Sequence, residues 1–111
     1  MIKFSYYKNY KGNDCLNVGK YNPFYRGKSY KKLVPSKELF SWWDSIENKN
    51  KKKYFEEFYA RYKKETLDKL DFNEVYKDIN NKVIITFTKD CPIREALKLW
   101  LKDNNKKYQE F

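Results

Sequence analysis

The chain has 111 residues, room for one core and not for two, and 36% of them are charged, with a net charge of +10. Aromatic residues make up 20% of the chain, which argues against a disordered polyelectrolyte and lets a short sequence bury much area per side chain. The absence of histidine excludes a Cys/His zinc site and a histidine general base, and two cysteines are too few for a disulfide scaffold.

Met1 to Tyr7 alternates Ile2, Phe4 and Tyr6 with Lys3 and Ser5, the period of a strand. Lys8 to Asp14 is polar and contains Gly12 and Asn13, which predicts a turn or loop. Cys15 to Val18 predicts a second short strand ending at Gly19, with Cys15 a small core residue. Lys20 to Pro35 holds two prolines, a glycine, four aromatics and five basic residues, and predicts a long irregular loop. Loops of that length inside a small domain are usually functional or mobile.

Ser36 is a good N-cap for a helix through Leu39, Phe40, Trp42 and Trp43, ended by Asn48 to Asn50. Adjacent Trp42 and Trp43 cannot share one helix face, so one of them belongs at an edge. Lys51 to Leu70 places Phe55, Phe58, Tyr59 and Tyr62 at helical spacing, with charged residues opposite. Asp71 and Glu74 have the spacing of a capping box, which starts a short helix from Phe72 to Ile79. Lys82 to Thr88 is a continuous β-branched and aromatic run, suited to a buried parallel strand. Pro92 suits the first turn of a last helix, whose apolar face is Ile93, Ala96, Leu97, Trp100 and Leu101. The residues after Asp103 are polar apart from Tyr108 and Phe111 and predict a loose tail.

Strands separated by helices predict parallel pairing with helices against the sheet. The expected architecture is a small, three-layer-like α/β domain over residues 1–105, with a short, mostly parallel sheet and about four flanking helices. Residues 106–111 form a polar tail. No apolar run reaches the length of a membrane span, and the N-terminus lacks a signal-peptide core. The expectation is therefore a cytoplasmic protein with reduced thiols and no membrane partner.

The charge is unevenly spread. Residues 1–35 carry eight Lys/Arg against the single Asp14, and the remainder carries seventeen against fourteen Asp/Glu. A concentrated positive field favours phosphates, although a Lys- and Asn-rich composition also follows from an AT-rich genome. In open parallel sheets ligands gather beyond the carboxyl ends of the strands. That rule selects Tyr6 after the first strand, Lys20, Tyr21, Arg26, Lys28, Tyr30 and Lys32 after the second, and Thr88, Cys91 and Arg94 after the last. Helix N-termini favour anions, Arg94 adds a fork for the same anion, and the loop aromatics offer flat surfaces for a base. Cys91 is the one candidate nucleophile, and nothing in the sequence supplies its base.

Three stretches carry a resemblance to a known family: Gly27 to Leu39 (GKSYKKLVPSKEL), Phe55 to Leu70 (FEEFYARYKKETLDKL) and Val83 to Leu101. Together they resemble the domain-of-unknown-function family numbered 488, a group of small α/β domains, over most of residues 17–103. Where that family places Cys-His-Arg, this chain has Cys91-Pro92-Ile93-Arg94. The family has no settled activity, so the resemblance implies a fold and a site location, and the missing histidine argues against catalysis.

The expected function is capture of a small phosphate-bearing, nucleotide-derived ligand. Sequestration of a signalling nucleotide, as in viral counter-defence, is one version of that role. The competing expectations are nucleic-acid binding driven by charge and a nucleotide-processing enzyme using Cys91. No cofactor and no metal are expected, and homo-oligomerisation is left open.

Overall fold

A computed structural model describes residues 1–12, 14–19, 28–86 and 91–110. Among these residues the chain forms strands β1 (Ile2–Tyr6), β2 (Cys15–Asn17), β3 (Lys28–Ser29), β4 (Val83–Thr86) and β5 (Tyr108–Glu110). The helices are α1 (Lys37–Ser45), α2 (Lys51–Glu65), α3 (Phe72–Ile79) and α4 (Pro92–Asp103). All strands pair in parallel, in the order β3-β2-β4-β1-β5. The expected parallel α/β architecture with four helices is thus the observed one.

Register explains how the two sheet faces differ. Phe4 pairs with Ile84, and Ile84 with Leu16, so these side chains share a face. With Ile2 they join a cluster that includes Leu39 and Trp43 of α1, Phe58 and Tyr62 of α2, Val75 and Ile79 of α3, and Leu97 and Trp100 of α4. Cys15, Val83 and Ile85 point the other way and form a smaller cluster, against which Tyr7 and Tyr10 of the β1–β2 connection pack. The layers are therefore unequal, with helices on one face and a loop on the other. Both faces of β4 are covered, and all four of its residues are buried, which is why the sequence there is apolar without alternation.

The helix starts follow local chemistry. Ser36 Oγ accepts the Leu39 N–H at 3.2 Å and its hydroxyl donates to Glu65 at 3.0 Å, tying α1 to the end of α2. Asp71 accepts from the amides of Asn73 and Glu74 and so caps α3. Pro92 occupies the first turn of α4, where its missing N–H costs nothing. Trp43 is buried while Trp42 is half-buried beside Tyr54, the edge position expected for one of the pair.

Two expectations need correction. The segment from Lys20 to Pro35 contains regular structure: β3 and a 3-10 turn at Lys31–Leu33, whose Leu33 is fully buried. The described part of the tail, residues 106–110, also contains regular structure. Asn105 adopts φ 60°, its N–H donates to the Lys102 carbonyl at 3.0 Å, and the Lys106 N–H donates to the Leu101 carbonyl at 2.9 Å. That paired C-terminal cap reverses the chain so that β5 lies beside β1. Tyr108 then packs edge-on to Phe4, with ring centroids 5.5 Å apart.

Candidate functional site at the start of α4

Cys91 is the N-cap of α4, so Arg94 falls in the first turn of the helix. The helix period that puts Ile93, Ala96 and Leu97 into the core turns Arg94 inward as well. It is 1% exposed, among the largest fully buried side chains in the protein. A buried guanidinium requires compensation, because stripping its water costs several kcal/mol, on the order of the penalty for any buried ion.

That compensation comes from β5. The register Ile2 with Tyr108 and Phe4 with Glu110 turns Tyr108 and Glu110 toward the helix face of the sheet. Glu110 Oε1 accepts from Arg94 Nη2 at 3.1 Å and from Lys98 Nζ at 2.9 Å, and Lys98 also reaches Glu95 at 3.1 Å. Lys98 lies 5.9 Å from the centre of the Tyr108 ring. The Lys98 hydrogen bond and, after it, Arg94 hold the Glu110 carboxyl below its ordinary range. Burial works against the Lys98 ammonium, but the Glu110 and Glu95 carboxylates outweigh it and raise its pKa.

The compensation is incomplete. Arg94 Nε and Nη1 are buried with no hydrogen-bond partner, in a protein whose other buried polar side-chain atoms are almost all satisfied among the described residues. Leaving charged donors unpaired costs more than leaving neutral ones, so such a group calls for an explanation. One bidentate oxyanion would satisfy it.

Cys91 is half-buried and unpaired with any other cysteine. Burial pushes its thiol above the ordinary value, and the amides of Ile93 and Arg94 and the Arg94 guanidinium only partly offset that shift. A nucleophilic cysteine needs the opposite balance. Tyr62 is nearby, but its hydroxyl donates to the Leu33 carbonyl at 2.5 Å and burial raises its pKa, so it is ill suited to act as a base.

The remaining sequence-predicted residues fall elsewhere. Tyr6 ends β1 and is half-buried. Lys28 is exposed in β3. Just beyond it, the Tyr30 hydroxyl donates to Asp78 of α3 at 2.7 Å, and Lys32 lies 3.9 Å from the same carboxylate. β3 and β5 are opposite edges of the sheet, four strand spacings or about 19 Å apart. The structure therefore separates Lys28, Tyr30 and Lys32 from Arg94 rather than gathering them around one anion. Lys20, Tyr21, Arg26 and Thr88 lie outside the described residues. Sequence reasoning missed Lys98 and Glu110. The available signal was the Asn104-Asn105 pair, a left-handed cap that sends the tail back toward the sheet.

No family model, curated protein or solved structure matches this chain. The site must be judged on its own chemistry.

A shallow groove of about 370 Å³ beside Trp42, Tyr54 and Glu57 is separate from this site. Its rings are already engaged by cations of the chain itself, with Arg61 4.9 Å from the Trp42 ring centre and Lys53 5.7 Å from that of Tyr54. Among the described residues, no helix is long and apolar enough to cross a membrane.

Proposed function

We propose that this protein captures a small phosphate-bearing, nucleotide-derived ligand and anchors its phosphate on Arg94 at the N-terminus of α4. The observation that carries the reading is the buried guanidinium with Nε and Nη1 unpartnered. The first-turn position adds the positive end of the helix dipole, and Lys98 supplies a second cation one turn on. The raised Cys91 thiol favours binding over covalent chemistry.

A second reading, nucleic-acid binding, rests on the net charge of +10. The two separate by salt. Retention of DNA or RNA through many lysines falls steeply with ionic strength, whereas an anion held by one buried arginine is screened much less.

The test is native mass spectrometry after incubation with a nucleotide-rich cell extract, followed by calorimetric titration with the recovered compound. Arg94→Lys keeps the charge and removes the fork. We expect it to lose about tenfold or more in affinity while the domain stays folded, as far-UV circular dichroism would show. Equal affinity of the two proteins would remove Arg94 from the site, and salt-sensitive nucleic-acid retention with no added small mass would favour the second reading.

A further inference from the structure

We infer that Glu110 is an internal anion that occupies the Arg94 site when no ligand is bound, so that ligand phosphate and β5 compete for the same guanidinium. The inference rests on the phosphate-anchor reading above and adds how access to that anchor is controlled.

Glu110 lies over the Arg94 guanidinium and holds it by a single contact. A guanidinium offers two edges for bidentate recognition, the pair Nη1 and Nη2 and the pair Nε and Nη2, and Nη2 belongs to both. Glu110 contacts Arg94 through Nη2 alone, and the two nitrogens left without partners are Nη1 and Nε. One carboxylate oxygen thus engages one of the two Nη2 hydrogens and completes neither edge. A phosphate brought to either edge lies beside the Glu110 carboxylate, and repulsion between the two anions sets them in competition for the guanidinium.

Exposure gives the direction of approach. The Arg94 side chain is 1% exposed and the Glu110 side chain 42%, so the carboxylate is the outer group and the guanidinium lies behind it. Lys98, 18% exposed, pairs with Glu110 and with Glu95, and stays in place as a second cation when Glu110 leaves. The element that carries Glu110 is built to yield. β5 is a three-residue edge strand paired only with β1 among the described residues, and two of its three residues are exposed. Tyr108, packed on Phe4, anchors its first residue, so the movement is confined to the strand's end.

The probe is inorganic pyrophosphate, titrated calorimetrically into the full-length wild type, Glu110→Gln and Arg94→Lys. We expect the wild type to bind, Arg94→Lys to lose binding, and Glu110→Gln to bind about tenfold more tightly, because the competing state is removed. Glu110→Gln that binds no better than wild type, while Arg94→Lys still loses binding, would overturn the competition and leave the anchor standing. No binding by wild type or by folded Glu110→Gln would overturn the anchor and the competition together. If Glu110→Gln does not fold, the wild type decides alone. Its Glu110 carboxyl carbon resonance must move with pyrophosphate saturation, and a resonance that stays fixed while pyrophosphate binds would overturn the inference.

Discussion

Both edges of the sheet carry a cation facing a carboxylate, and the two are built to different standards. At the β3 edge, Lys32 and Asp78 are about half exposed, 3.9 Å apart, and Tyr30 completes the carboxylate's shell. At the β5 edge, Arg94 is buried, its partner Glu110 is shared with Lys98, and two of its nitrogens have no partner. Water can repair any fault in the first arrangement at almost no cost, and such pairs are worth about 0–1 kcal/mol. In the second, each unmade hydrogen bond is a standing destabilisation. A fold that keeps an unsatisfied buried arginine at a helix N-terminus gives up stability there, which is the pattern expected of a binding site and not of a structural pair.

The sharpest way to break this comparison is to remove the carboxylates in turn. Glu110→Ala leaves a buried guanidinium without its ion pair and is expected to lower unfolding free energy by about 2–3 kcal/mol, whereas Asp78→Ala costs about 1 kcal/mol or less. Urea melts of both variants measure the difference, and equal losses would mean that the two edges are alike after all.

Removing the cations should give a different pattern. Arg94→Met leaves Glu110 half exposed and still paired with Lys98, so no charge is stranded. Stability should stay within about 1 kcal/mol of wild type or rise, while pyrophosphate binding disappears. Lys32→Met should change neither quantity measurably. Loss of binding in both variants would move the site toward the loop.

The smallest expected effect is on pH dependence. Glu110 has a folded-state pKa below its unfolded value, so its contribution to stability is present above the unfolded value and is lost as pH falls through the folded one. Thermal melts between about pH 6 and pH 3 should therefore show wild type losing melting temperature faster than Glu110→Gln. Parallel acid limbs would show that the Glu110 pairing is not maintained in solution.

Much of the fold was legible because it depends on local chemistry. The run from Val83 to Thr86, the Ser36 and Asp71 caps, and the stripes Phe58–Tyr62 and Ile93–Leu101 each declare their element within one or two turns. β3 and β5 were not legible. At two and three residues they carry no period, and only the neighbouring strand makes them strands. The site shows the same division. Arg94 stood out from its place after Cys91-Pro92, whereas Lys98 and Glu110 enter only through the parallel register of β5 on β1. The strand-end rule also treated the carboxyl edge as one place, and the strand order separates its β3 end from its β5 end.

The most direct test of the Arg94 anchor is the Nε–H resonance of Arg94, followed by nitrogen-resolved NMR while pyrophosphate is titrated into the wild-type protein at physiological salt. Two new oxygen acceptors on an unsatisfied guanidinium should shift that resonance saturably, at the concentration where calorimetry shows binding. An Arg94 signal that does not move while pyrophosphate binds would place the anion elsewhere and contradict the account.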